Sequence, residues 1–208
     1  MKARGVSRWY RFAYSVGLTP WESDTGTLDQ LRTLLAVEEA RREPPYGPAL
    51  DLGCGTGRWS VEMARRGWQV SGVDLVPKAI RAARSRAQDA GVDVAFFEGD
   101  VTALSDAGVG SNFSFFLDVE CFNHLDDAQR LAMGREVDAI ASADATLLLL
   151  VWAHARRGPL PPGANREDLH TAFPGWGIVD EQPYEGDLPR PLSNIAPSWY
   201  RLERGRPE

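Results

Sequence analysis

Four aspartates stand where apolar runs end: Asp51 in "PALDL", Asp74 in "VSGVDL", Asp100 in "FFEGDV" and Asp118 in "SFFLDV". The first leads into glycines at alternate positions, Gly53, Gly55 and Gly57, and then into the helical spacing of "RWSVEMARRG". Glycines where a strand turns into a helix let the backbone pass close to a ligand, with the helix N-terminus facing it. A dinucleotide loop places its third glycine where Arg58 stands here. An acid ahead of such a loop repels a pyrophosphate but accepts hydrogen bonds from an ammonium or from ordered water. Loop and acid together point to a nucleoside with a cationic amino-acid tail. Asp74 is placed to accept from both ribose hydroxyls, and Asp100 from an adenine amino group. One strand-end aspartate reads as a cap or turn residue. Four on successive strands read as a binding edge, because the crevice of an open α/β sheet lies outside the carboxyl ends of its strands.

The segment after the fourth run, "DVECFNHL", holds the candidates for proton transfer. His124 has the intrinsic pKa best suited to a base near neutrality. Glu120 in the same segment and His154 in "VWAHARR" are the other candidates, and a loop or capping role is the plain alternative for each histidine. His170 reads as an ordinary helix residue. A metal-assisted transfer needs oxygen ligands at neighbouring strand ends. The fifth run ends in "VWAHA" without an acid–amide pair, and Asp126 with Asp127 suits a helix start. No metal is assigned. Trp21, Trp152, Trp176 and Trp199, with Phe122, are candidate walls for a planar ring or a sugar.

These residues need a sheet to hold them. "PALDL", "WQVSGVDL", "VDVAFFEGD", "NFSFFLDV" and "ATLLLLVWA" read as strands, alternating with helical stretches that include "KAIRAARSRAQDAG" after Pro77 and "DDAQRLAMGREVDAIA". Near-continuous apolar strands separated by helices indicate a parallel sheet covered on both faces. "GWGIVDEQPYEG" and "SWYRLERG" have no helix between them and should pair antiparallel at one edge, with Asn165 capping a short helix before them. Upstream, Thr27 and Gln30 form a capping-box signature for a helix through "LDQLRTLLAVEEARR", which Pro44 and Pro45 stop. The expected fold is α/β: one doubly wound domain with a seven-stranded, mostly parallel sheet and an antiparallel C-terminal strand. Residues 46–208 form that domain; residues 1–45 form N-terminal helices and a candidate lid, basic and aromatic by turns.

The chain has 208 residues and a net charge of −6, which disfavours nucleic-acid or anionic-membrane binding. The first twenty residues lack the apolar core of a signal peptide, and "TLLLLVW" is too short to cross a bilayer. Two cysteines make no disulfide framework or zinc pattern. A cytoplasmic protein, monomer or homodimer, is expected.

"LDLGCGTG", "VSGVDLVPKAI", "EGDV" and "FSFFLDVECFNHL" resemble the successive motifs of class I S-adenosylmethionine-dependent methyltransferases, over about residues 46–152. The resemblance implies a Rossmann-like fold and S-adenosyl-L-methionine as cofactor, leaving as S-adenosyl-L-homocysteine. It places Gly53, Gly55 and Gly57 around the amino-acid tail and Asp51 below it. Asp74, with Leu75 beside it, holds the ribose, Asp100 and Val101 contact the adenine, and Asp118 completes the acidic edge. "GLTPWESD" followed by "DVECFNHL" is similar to small bacterial enzymes related to thiopurine methyltransferases, and implies that Trp21 covers the methionine end. The expected acceptor is a small-molecule hydroxyl on a saccharide, phenol or quinone, with a thiol or heterocycle nitrogen as the alternative. A nicotinamide-dependent reductase and a non-catalytic cofactor-binding module are the competing readings.

Overall fold

In the computed structural model, the described residues are 25–154, 163–186 and 196–205. Trp21 and the candidate lid in residues 1–24 lie outside them. Seven strands form one sheet: β1 (Pro48–Leu52), β2 (Gln69–Asp74), β3 (Val94–Glu98), β4 (Phe113–Val119), β5 (Ala141–Trp152), β6 (Trp176–Pro183) and β7 (Pro197–Arg204). Their order across the sheet is β3-β2-β1-β4-β5-β7-β6. The first five pair in parallel, and β7 runs antiparallel to both β5 and β6. The expected sheet is therefore the observed one. β5 begins four residues earlier than its apolar run, directly from the helix before it, with a register shift against β4 between Phe113 and Phe115.

Helices lie on both faces: α1 (Thr25–Glu39), α2 (Arg58–Arg65), α3 (Pro77–Ala90), α4 (Leu104–Ala107), α5 (Asp127–Ile140) and α6 (Arg166–Ala172). Alternation along the central strands divides the core. Leu50, Leu52, Phe116, Leu147 and Leu149 pack with Met133 and Val137 of α5, whereas Ala49, Phe115, Leu117, Leu148 and Leu150 pack with Leu31 and Leu35 of α1 and Met63 of α2. Central strands are buried on both faces, and exposure appears on the edges at β3 and β6. That is why the central runs read as continuously apolar.

The α1 capping box is not formed. Helix α1 begins at Thr25, so Thr27 and Gln30 lie within it and serve tertiary contacts. Thr27 Oγ1 donates to the Tyr184 hydroxyl, while Gln30 donates to the Pro183 carbonyl and accepts from the Trp199 indole and the Glu185 amide. A capping box does form at each of two other helices, where Asp126 pairs with Gln129 and Asn165 with Asp168. Among the described residues no helix is long and apolar enough to cross a membrane.

Candidate functional site

The strand order reverses between β1 and β4, and at that switch point the glycine loop leaves β1. The Gly53 and Cys54 amides both donate to the Val73 carbonyl of β2, at 2.9 Å each, and the Gly57 amide closes a turn onto the Cys54 carbonyl. Gly53, Gly55 and Gly57 all have positive φ, at 72°, 53° and 73°. At Gly53 a Cβ would stand 2.7 Å from Cys121 Cβ and Sγ, and at Gly57 it would stand 2.8 Å from the Phe96 ring. The loop thus needs glycine for its backbone conformation and for close packing against the turn after β4. Arg58, at the first position of α2, stacks over Trp59 with 4.6 Å from Cζ to the ring centroid.

Asp74 ends β2 and is half-buried. Its Oδ2 accepts from the Gly55 amide at 2.9 Å and its Oδ1 from the Val76 amide at 2.8 Å. One carboxylate therefore ties the glycine loop to the start of α3. Leu75, beside it, is half-buried as well. Asp100 lies two residues past the end of β3 rather than at it, and its Oδ1 accepts from the amide and hydroxyl of Thr102. Val101 packs its side chain into the apolar core, so any contact it makes with a ligand is through its backbone.

Asp51 and Asp118 sit deeper. Asp51 is 1% exposed and accepts from the Ser60 hydroxyl at 2.5 Å. Burial pushes its carboxyl up to about 7, against the opposing pull of Ser60. Asp118 is 0% exposed and lies within β4, one residue short of its end. Its two oxygens accept from the Phe122 amide at 3.2 and 3.0 Å, and burial pushes its carboxyl up to about 8. Asp118, expected on the cofactor surface, has an enclosed side chain that closes the turn at residues 118–122. Burial beside these acids also pushes the Cys54 and Cys121 thiols well up.

That turn forces Glu120 to φ 73°, a left-handed conformation costing a residue with a Cβ roughly 1–3 kcal/mol. The Trp152 indole at the end of β5 donates to Glu120 Oε1 at 2.8 Å. Asn123, 1% exposed, donates to the Leu150 carbonyl and accepts from the Trp152 amide. Its side chain thus continues the sheet pairing where the backbone of β4 has turned away. Neither Asn123 as the clamp nor Ser60 as the partner of Asp51 carries a local sequence signal, since each acts on a residue from another element.

His124 closes the short 3-10 turn Phe122–His124, half-buried and beside the same strand ends. His154 follows β5 with a side chain 56% exposed, and its Nδ1 is 3.9 Å from the Asp168 carboxylate, away from the Asp51–Asp74 cluster in its hydrogen bonding. His170 lies in α6, as expected. Of the proposed aromatic walls, Trp176, Trp199 and Phe122 are core residues instead. They fill space between the sheet and its helices, and only Trp152 among the described four borders the turn. Among the described residues no group of three metal-ligating side chains occurs.

The residues present suit a cationic nucleoside ligand: a loop of glycine backbone, a bidentate acceptor at the end of β2, and two buried carboxylates that no Arg, Lys or His pairs with among the described residues. Comparison with known proteins agrees with this chemistry. Residues 49–143 match the family described as a methyltransferase domain. The chain is 32% identical over 113 residues to norajmaline N-methyltransferase of Rauvolfia serpentina, covering 53% of this chain and 37% of that protein. It is 35% identical over 111 residues to a ubiquinone biosynthesis O-methyltransferase of Xanthomonas axonopodis, covering 51% and 46%. The chain thus spans less than half the length of these curated relatives. The fold matches the N-methyltransferase NodS of Bradyrhizobium japonicum, solved with S-adenosyl-L-homocysteine, with a TM-score of 0.73 and 16% identity over 90% of this chain and 92% of that one. The narrower likeness to thiopurine-type enzymes rests partly on residues 17–24, ahead of the matched span and outside the described residues. Residues 49–143 thus match a methyltransferase domain, on a fold shared with solved methyltransferases.

Proposed function

We propose that this chain is an enzyme that transfers the methyl group of S-adenosyl-L-methionine to a small-molecule acceptor. The observation that carries the reading is the Asp74 carboxylate holding the Gly55 amide, at the point where the strand order reverses. The cofactor supplies a methyl group already activated on a sulfonium. What remains for the protein is to align the acceptor, exclude water and take a proton where the acceptor must lose one. Asp74 holds the ribose, Gly53, Gly55 and Gly57 the amino-acid tail, and Asp100 the adenine edge. Trp152 and Glu120 form a fixed corner on the acceptor side of the turn after β4.

A hydroxyl is the first choice of acceptor, on a phenol, quinone or saccharide. The similarity to a ubiquinone biosynthesis O-methyltransferase supports it. The similarity to norajmaline N-methyltransferase favours a ring or amine nitrogen as the second reading. Incubation of the whole chain with methyl-labelled cofactor and matched phenols, saccharides, thiols and amines tests the assignment. Label in a hydroxyl product supports the first reading, label only in amines supports the second, and transfer to none of them contradicts an enzyme of this class.

For a hydroxyl acceptor His124 is the proposed base. His124→Ala is expected to lower turnover by about 100-fold, in the range for removal of a general base, with cofactor affinity within about twofold. Glu120→Gln keeps the size of the side chain and serves as the comparison. Unchanged turnover in the first variant with a loss in the second would move the role to Glu120.

A further inference from the structure

Among the described residues, Trp59, Trp68, Trp176 and Trp199 belong to the hydrophobic clusters on the two faces of the sheet or pack against them. Trp152, half-buried at the end of β5, does neither, so core packing does not dictate its place. Three elements hold it all the same. Its amide donates to Asn123 Oδ1 at 3.0 Å, its carbonyl accepts from the Ala164 amide at 2.9 Å, and its indole donates to Glu120 Oε1 at 2.8 Å. A Cβ at Gly163 would stand 2.5 Å from that same carbonyl, so the chain can return there only as glycine. A ring fixed at its backbone and at its indole nitrogen, yet outside the core, is a preorganised contact surface. Glu120 gives the second sign. Glycine adopts its φ of 73° freely, whereas a residue with a Cβ is strained there, and such strain clusters where a side chain serves a ligand. The next residue, Cys121, packs against Gly53, so Glu120 stands beside the glycine loop with its carboxylate against Trp152.

We infer that Trp152 and Glu120 form a two-point acceptor subsite, in which the indole stacks on a planar aromatic ring and the carboxylate accepts from a hydroxyl or amino donor carried by that ring. The inference rests on the methyltransferase reading above and deepens it, narrowing the acceptor to aromatic donors. The polar groups at this corner are too few for a sugar. Asn123 is 1% exposed and spends both ends of its amide on β5, and Phe122 is buried. Among the described side chains of the turn and the strand end, a ring face, one carboxylate and the half-buried His124 remain. A saccharide carries a hydroxyl on nearly every carbon, and each needs a partner once it leaves water. A planar aromatic needs its faces covered and one or two polar contacts. The charge of Glu120 also rejects an anionic ring, since like charges brought together are repelled. With His124 as the base, Glu120 acts on acceptor affinity. Glu120→Gln therefore raises the acceptor KM with little change in kcat, the reverse of His124→Ala.

Ligand-observed NMR titration of the whole chain, first saturated with S-adenosyl-L-homocysteine, tests this with resorcinol, 1,3-dimethoxybenzene, 3-hydroxybenzoate and methyl glucoside. The three rings share their substitution pattern and differ in donors and charge. Resorcinol should bind about tenfold or more tighter than each of the others, the scale of a hydrogen bond to a charged group. Trp152→Leu should weaken resorcinol and 3-hydroxybenzoate alike, because both lose the stacking face. Glu120→Gln should remove most of the discrimination against 3-hydroxybenzoate. Glu120→Gly relieves the backbone and separates fold from recognition: it should melt no lower than the parent and lose the preference for resorcinol. No binding of resorcinol, tighter binding of methyl glucoside or 3-hydroxybenzoate, or a preference that survives in Glu120→Gly overturns the inference, while saturation by S-adenosyl-L-homocysteine leaves the cofactor reading standing. Failure of S-adenosyl-L-homocysteine to bind overturns both.

Discussion

Asp74→Ala is expected to raise the dissociation constant for S-adenosyl-L-homocysteine by about 100-fold or more. Two effects add. On the proposed assignment the ribose loses its charged acceptor, and hydrogen bonds to charged groups contribute about 1.5–3 kcal/mol each. The loop also loses its anchor, because the Gly55 and Val76 amides both donate to this carboxylate. A hundredfold change corresponds to about 3 kcal/mol, within reach of either effect. Asp74→Asn keeps one oxygen acceptor and should fall between the variant and the parent. Calorimetry on all three proteins measures the series, and near-parental affinity in Asp74→Ala would remove this residue from the ribose site.

The second large effect concerns stability and falls on the opposite end of the sheet. Glu38 is 1% exposed and holds the Arg201 guanidinium of β7, the Thr146 hydroxyl of β5 and, at 3.4 Å, Arg42. Arg42 in turn donates to the Ser114 carbonyl and to Thr146, and Arg201 to Glu203. Glu38 therefore pins α1 across β4, β5 and β7. Among the described residues, Glu38→Ala leaves the mostly buried Arg201 with only Glu203, and breaking such a pair costs about 3–5 kcal/mol. Chemical denaturation followed by circular dichroism should show a loss of that size. A loss below about 1 kcal/mol would mean that water or Glu203 compensates Arg201. The contrast with the outer pair Arg32–Glu62 is instructive. Arg32 is 47% exposed, so its loss should scarcely register.

Much of the sheet was legible because parallel strands buried on both faces leave a plain trace. "LLLLVW" in β5 and "FSFFLDV" in β4 are apolar at nearly every position, and Gly57, Pro77 and Asn165 mark the helix starts that follow or precede such runs. The glycine loop and Asp74 were legible for the same reason, as both lie at strand ends fixed by those runs. What was illegible depends on side chains that reach across elements. Thr27 and Gln30 have the spacing of a capping box, yet the helix starts earlier and their polar groups serve Tyr184, Pro183 and Trp199, far along the chain. Asp118 reads as a ligand-facing acid like its counterparts. Its turn is tight enough to fold the carboxylate back onto the Phe122 amide, and the same turn gives Glu120 its positive φ. The tryptophans mislead in the same way. Trp199 is in a strand that sequence places correctly, but its indole is bound inward to Gln30.

Calorimetric titration of the purified chain with S-adenosyl-L-methionine, S-adenosyl-L-homocysteine and NADH tests the central claim most directly. The geometry of the glycine loop, with Asp51 beneath it and Asp74 beside it, predicts binding of both adenosyl ligands and none of NADH. Binding of NADH without either adenosyl ligand would contradict the account and every cofactor contact assigned to these residues.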